Sequence, residues 1–477
     1  MMRLTKTQYR RSVEQLTGTP VPPSALPLEN RSRYSSDGTS NPPTLDELKA
    51  IAQVARTVAA GLDPRQMAQC GTRSDSDCAD RVIEQWGLKV YRRPLEPDER
   101  ARLRALYQQA LGAGPHVEAL RAVVQVMLQS PRFLYQIEPG AAGDPLDGFA
   151  LAQRLSLALW NSPPSDALLA AAQRGALDDE AGLRAEAAQM LAAPNALHKL
   201  EEFHLQWLSA DAVTSVGKVA EVFPSFTPTL AAGFRDEAQA MIRDIFTEGD
   251  GRFATLFRWN RIRLGPATAR AYGLPQPVSE PTTVERDPTQ HAGVLTLPAV
   301  MAVLARPAEG SPIKRGNFVY GHLLCGRIGF PSNLTLPPPS EAASTRERVE
   351  AHTSAEGCAS CHRILDPPGF ALEHFDGMGL YRTDDHGKKV DAHGGLEGSD
   401  RNYVGVGAAL LGSALAESAQ AERCYTKNWL DVLNGEPTES ASACGTDQLS
   451  LILRRDGVRA MLLAAVTRPE FRLRGGD

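Results

Sequence analysis

Three observations predict a mainly α, multi-domain chain. Ala and Leu are plentiful while aromatic residues make up only 6% of the 477 positions, a composition that favours helix. Apolar residues recur at three- and four-residue spacing along most of the length. The 34 prolines gather in a few stretches that punctuate these patterns. One hydrophobic core stops growing near roughly 250–300 residues, so a chain this long divides.

The elements follow in order. Thr5 to Leu16 reads as a helix, with Thr5 and Gln8 at capping-box spacing and Gly18 at the stop. Thr19 to Pro43 is a Pro/Ser/Asn-rich linker, and Leu45–Leu62 is the second helix. Cys70 and Cys78 share a polar loop before helices at Ala79–Trp86, Pro97–Gly112 and Val117–Gln129. A central block begins with Phe149–Trp160 and contains the longer helix Thr229–Thr247. Helical spacing returns at Leu297–Ala305 and Ile313–Leu324; Pro337–Pro339 then form a stiff spacer. Ala416–Leu433 and Gln448–Thr467 are helical again. These patterns divide the chain into blocks 1–62, 63–140, 141–275, 276–400 and 401–477.

Bulk charge narrows the partners. The formal net charge of −5 is spread along the chain, without the basic face that a nucleic-acid partner requires. No segment reaches the ~18 consecutive apolar residues of a membrane span. The opening residues Met1–Thr7 carry no apolar export signal, so either the signal was removed, or the reading frame starts upstream, or the protein stays in the cytosol and the haem expectation below fails. Neither a Ser-His-Asp elbow, nor a phosphate-binding Gly-rich loop, nor a His-Glu-x-x-His run is present. The acidic stripe Asp236, Glu237, Asp244 and Glu248 reads as solvated surface, and Tyr91–Pro94 as a helix contact with a stacked arginine or, alternatively, an anion site.

One motif carries chemistry. Cys358-Ala359-Ser360-Cys361-His362 is the Cys-x-x-Cys-His pattern of c-type haem attachment. Two residues between the thiols let both sulfurs reach the vinyl groups of one porphyrin edge, and the adjacent histidine supplies the proximal ligand. The motif predicts one covalent haem c held by Cys358, Cys361 and His362, in a small cytochrome-like segment. Three other readings compete: a structural disulfide, a thioredoxin-like pair without its βαβ context, or a zinc site completed by His352 and His374. The remaining cysteines form two local pairs, Cys70 with Cys78 and Cys424 with Cys444, as bridges in an oxidising compartment would. Cys325 is left over as a buried hydrophobe.

The surrounding text is more specific still. Thr345-Arg346-Glu347-Arg348, the Cys-x-x-Cys-His run, Asp366-Pro367-Pro368-Gly369-Phe370-Ala371-Leu372-Glu373-His374-Phe375-Asp376 and Gly379-Leu380-Tyr381-Arg382 follow one another. This order resembles the cytochrome-associated multi-domain proteins first catalogued in planctomycetes and also found in myxobacteria. Arg3–Tyr9, Tyr91–Leu95, Met127–Tyr135, Leu155–Trp160, Gly293–Thr296, Ser311–Gly316 and Arg468–Phe471 resemble further blocks of the same family. Its blocks have no known function, so the resemblance implies an exported haem-associated protein and supplies no reaction. The family often shows a histidine after Gly-Val-Leu-Thr; here Leu297 stands there, and no distal ligand carries over.

A second axial ligand must come from elsewhere, or the iron stays open to a small molecule such as carbon monoxide. Met378, flanked by glycines, is the first candidate, although it lies close in sequence to His362; His386 and His393 are alternatives, and Met461 reads as core. Asp366–Phe370 reads as the turn after the proximal histidine. Phe370 and Phe375 are expected to pack on the porphyrin or on local core, and Tyr381 and Arg382 are candidates for a haem propionate, with a surface salt bridge the alternative for Arg382. Two functions are expected. The first is an exported c-type haem protein in electron transfer or haem-dependent oxidoreduction, its redox partner and substrate unnamed. The second is a secreted binding or scaffold protein whose Cys-x-x-Cys-His is a structural metal or disulfide site.

Overall fold

Capping chemistry sets most helix boundaries. Thr5 accepts from the Gln8 amide while the Gln8 side chain reaches back to the Thr5 amide, and Gly18 closes the helix Lys6–Thr17 in the left-handed conformation. Thr44 and Glu47 repeat the reciprocal cap at Leu45–Gly61, as do Ser344 and Glu347 at Thr345–Thr353. The computed structural model describes residues 2–27, 34–35, 43–274, 280–327, 344–354, 358–435 and 443–475. The Pro337–Pro339 spacer and most of the Pro-rich linker before Pro43 lie outside these.

The fold is mainly α. The strands among the described residues form short two-stranded antiparallel pairs, and no described helix is long and apolar enough to cross a membrane. The chain gathers into two compact units: 1–199 with 431–438 and 463–477, and 200–430 with 439–462.

In the first unit the helices Leu45–Gly61, Asp75–Tyr91, Pro97–Leu111 and His116–Leu128 bury one apolar core around Val82, Leu120, Val124 and Met127. Cys70 and Cys78 are bridged. Cys78 lies in the first turn of Asp75–Tyr91, which begins before the expected Ala79 because Ser74 caps it. Arg92 is fully buried, donates to the Phe133 carbonyl at 2.9 Å and lies over the Phe133 ring.

The second unit is built on the 20-residue helix Pro228–Thr247 and an aromatic cluster of Phe203, His204, Trp207, Tyr425 and Trp429. Three expectations are corrected here. Cys424 is bridged to Cys325, 99 residues away, and not to Cys444; the side chain of Cys444 lies outside those described. Glu237 and Asp244 are buried, not solvated. Glu237 accepts from the Tyr272 hydroxyl at 2.8 Å, and burial pushes its carboxyl up to about 7; Asp244 accepts from Arg263 at 2.8 Å. The tail helix expected over Gln448–Thr467 is two helices, Ala443–Asp456 and Val458–Val466, separated by Gly457 at φ +89°.

Candidate functional site

The Cys-x-x-Cys-His run opens a helix, Ala359–Phe370, with Cys358 at its N-cap. This helix continues through Pro367 and Pro368, where a turn was expected. Proline inside a helix removes a hydrogen bond and crowds the preceding turn, so tertiary packing must hold this segment helical. The packing is unusually close. A Cβ placed on Gly369 would stand 1.9 Å from the Pro312 carbonyl oxygen, and one on Gly316 would stand 1.7 Å from that of Leu365. Backbone therefore lies against backbone where the motif helix meets Pro312–Asn317. On another side the strand His393–Leu396, paired with Tyr403–Val406, approaches so closely that a Cβ on Gly394 would stand 2.2 Å from the Pro367 oxygen.

Downstream, Arg315 anchors the chain that leaves the helix. It is fully buried and donates to the carbonyls of Leu372 at 2.8 Å and Asp376 at 2.9 Å, with Glu373 at 3.4 Å. Arg382 completes this buried group through Glu373 at 3.1 Å and a short contact with Asp385. Burial raises the Glu373 carboxyl, and the two arginines oppose the rise.

Helical geometry places His362 and Asp366, four residues apart, on one face. His362 Nδ1 lies 2.8 Å from Asp366 Oδ1, and the Thr353 hydroxyl lies 2.9 Å from Asp366 Oδ2. Asp366 is 5% exposed, and burial raises its carboxyl while the bonds from His362 and Thr353 pull the other way. Among the described residues Nε2 of His362 has no hydrogen-bond partner. The same helix face, with Thr345–Thr353 and the hairpin strands, lines an open cavity of about 860 Å³, within the size range of cofactor and small-molecule sites. His362, Pro367, Phe370, Leu396 and Val404 line it, with Arg346 and Arg363 also on its wall. The Arg346 guanidinium sits 4.2 Å from the centre of the Phe370 ring. Tyr403 also lines the cavity, and its buried hydroxyl has no partner among the described residues.

The expected site residues are thus partly assembled. His362 and Phe370 line the cavity, and so does His393. Cys358 and Cys361 lie in the first turn of the helix, outside both disulfides; neither is among the lining residues. The structure does not bring Met378 or Arg382 to the cavity. Met378 is buried, with its sulfur 3.5 Å from the Ser225 hydroxyl, and the Arg382 guanidinium is committed to the Glu373 group. Sequence reasoning missed the Thr353–Asp366–His362 chain. The i,i+4 spacing of His362 and Asp366 could have revealed half of it, had the two prolines not suggested a turn.

No group of three or more His, Cys, Asp or Glu side chains that could hold a metal ion occurs among the described residues. His374 lies 2.9 Å from the Arg382 carbonyl through Nδ1 and stacks on Tyr381; the side chain of His352 lies outside those described.

Three family models match the chain. Residues 78–138 match PSD5, a protein of unknown function (DUF1595). Residues 146–274 match PSD4, a protein of unknown function (DUF1592). Residues 291–385, which include the whole motif helix, match PSCyt3, a protein of unknown function (DUF1588). Together they take in more than half of the chain. No curated protein and no solved structure matches it.

Proposed function

We propose that the chain, which belongs to the planctomycete-type cytochrome-associated multi-domain proteins of unknown function, is an exported redox protein carrying one covalent haem c. The observation that carries this reading is His362: one ring nitrogen is held by Asp366, and the imidazole lines a largely apolar cavity. A neutral imidazole that donates from Nδ1 keeps its lone pair on Nε2, the nitrogen that a haem iron takes.

The other residues suit the same group. Pro367, Phe370 and Leu396 offer apolar surface, and Arg346 and Arg363, each paired with a glutamate, stand on the same wall. The orphaned Tyr403 hydroxyl offers a donor. Cys358 and Cys361 are the thiols for attachment, close to His362 in the same helix. When bound, the haem would supply a one-electron couple. The chain's own part is to orient the proximal ligand and to offer the group an apolar wall. Two disulfides fit an oxidising, extracytoplasmic compartment.

Denaturing electrophoresis of protein exported in a host competent for c-haem maturation tests the reading. A haem-stained band should appear and vanish in Cys358→Ala/Cys361→Ala. An unstained wild-type band would overturn it, and one equivalent of zinc in that protein would turn the reading towards a structural metal. Carbon monoxide added to the reduced protein should change its spectrum if the sixth position is open. An unchanged six-coordinate spectrum would assign that position to a protein ligand, with His393 the first to substitute.

A further inference from the structure

We propose that Asp366 is a positioning residue that poises the redox couple at this site: it orients His362 and makes its cavity-facing nitrogen a stronger donor, lowering the reduction potential. The inference rests on the haem reading above.

Four observations converge on it. The Nδ1–Oδ1 separation is 2.8 Å, the distance of a charge-assisted bond. Asp366 is 5% exposed, so water does little to screen its charge. Among the described residues its ion-pair partner is His362 itself. The cavity arginines have other partners: Arg346 bonds Glu350 at 2.8 Å and the His393 carbonyl at 2.6 Å, and Arg363 pairs with Glu397 at 2.5 Å. The carboxylate's charge is therefore directed at the imidazole, with the Thr353 hydroxyl on its other oxygen at 2.9 Å.

Holding the carboxylate in this place requires the helix to run unbroken through Asp366-Pro367-Pro368, which the close contacts at Gly316 and Gly369 enforce. Had the prolines ended the helix at His362, the i,i+4 contact would not form. A carboxylate that accepts from the second nitrogen of a ligating histidine raises the ligand's basicity. A more basic ligand favours the ferric over the ferrous ion, and hydrogen bonding around the axial ligand is one of the levers that set haem potential.

The test is a spectroelectrochemical titration of the full chain, with covalent haem verified beforehand by stain. At the wild-type midpoint, Asp366→Asn should shift the ratio of reduced to oxidised haem at least tenfold towards reduced, about 59 mV for a one-electron couple. A haem-bearing Asp366→Asn protein that shifts the ratio less than tenfold, or towards oxidised, overturns the proposal. If that variant carries no haem, Asp366→Glu decides. A Glu variant that carries haem and stays within threefold of wild type supports the charge as the operative feature. A Glu variant that departs further, or likewise carries none, assigns Asp366 to folding alone and overturns the proposal. Failure of the haem reading itself shows earlier, as an unstained wild-type band, and the proposal falls with it.

Discussion

His204 and His362 belong to the same compact unit and do opposite things. His204 is fully buried; its Nδ1 lies 2.7 Å from the Leu200 carbonyl and its Nε2 2.8 Å from the Tyr425 hydroxyl. Both nitrogens are committed, and rings from Phe203, Trp207, Phe246 and Trp429 close around it. Burial pushes this imidazole down to about 4, so it is a neutral core residue. His362 has one nitrogen committed to a carboxylate and lines a cavity. Burial makes a histidine structural when it satisfies both nitrogens. A histidine with one nitrogen anchored and an open side is equipped to bind.

The comparison can be broken at several points. The largest effect is expected at the disulfide next to Tyr425. Replacing Cys325 and Cys424 by Ala should cost about 4–5 kcal/mol, because the bridge closes a loop of about 100 residues. Denaturant titration measures the loss, and non-reducing peptide mapping should recover the Cys325–Cys424 peptide pair. A Cys424–Cys444 peptide would reverse the assignment.

Next comes His204→Ala, which opens a cavity among aromatic rings and strands the Tyr425 hydroxyl. It should cost about 3–5 kcal/mol; a loss below 1 kcal/mol would show that the cluster tolerates repacking. A pH effect of comparable size follows from the same burial. The unfolded chain protonates His204 near its ordinary value while the folded chain resists to about 4. The contribution is therefore complete above about pH 6.5 and is lost as pH falls towards 4, about 3 kcal/mol in all. In His204→Gln the fall of stability with pH across this window should be shallower by up to one proton; an equal slope would assign the acid sensitivity to other groups.

Gly369→Ala should cost about 2 kcal/mol by forcing the motif helix off the Pro312 backbone, read as a lowered Tm. It should also weaken the His362–Asp366 contact and so shift the haem potential in the direction expected for Asp366→Asn. The smallest effect on stability is expected at His362 itself. His362→Ala should cost about 1.5–2 kcal/mol, the loss of one charge-assisted bond to the buried Asp366 carboxylate, while altering the axial ligation. A loss as large as that of His204→Ala would erase the distinction between the two histidines.

Where local chemistry decides the outcome, the sequence already contained the answer. The Thr5–Gln8 capping box, the amphipathic helices and the short-range Cys70–Cys78 bridge depend on residues within one or two turns of each other. The Cys-x-x-Cys-His run marked the candidate site for the same reason. The family resemblance rested on contiguous text, and the matched segments cover that text apart from Arg3–Tyr9 and Arg468–Phe471.

Long-range partners were not legible. Cys325 and Cys424 are separated by 99 positions, and sequence proximity favoured the wrong neighbour. Glu237 and Asp244 lie on a stripe that looks solvated until Tyr272 and Arg263 cover it. Asp366 read as the start of a turn because two prolines follow it, yet glycine contacts at Pro312 and Leu365 keep it helical. The sequence alone determined which residue types could bind and where the capping-box helices Lys6–Thr17 and Leu45–Gly61 begin, since these follow from chemistry within a few positions. Only the tertiary structure decided that Asp366 faces His362, that His393 and Tyr403 line the same cavity, and that Met378 lies at Ser225. Each of those outcomes depends on backbone surfaces distant in sequence meeting at van der Waals range.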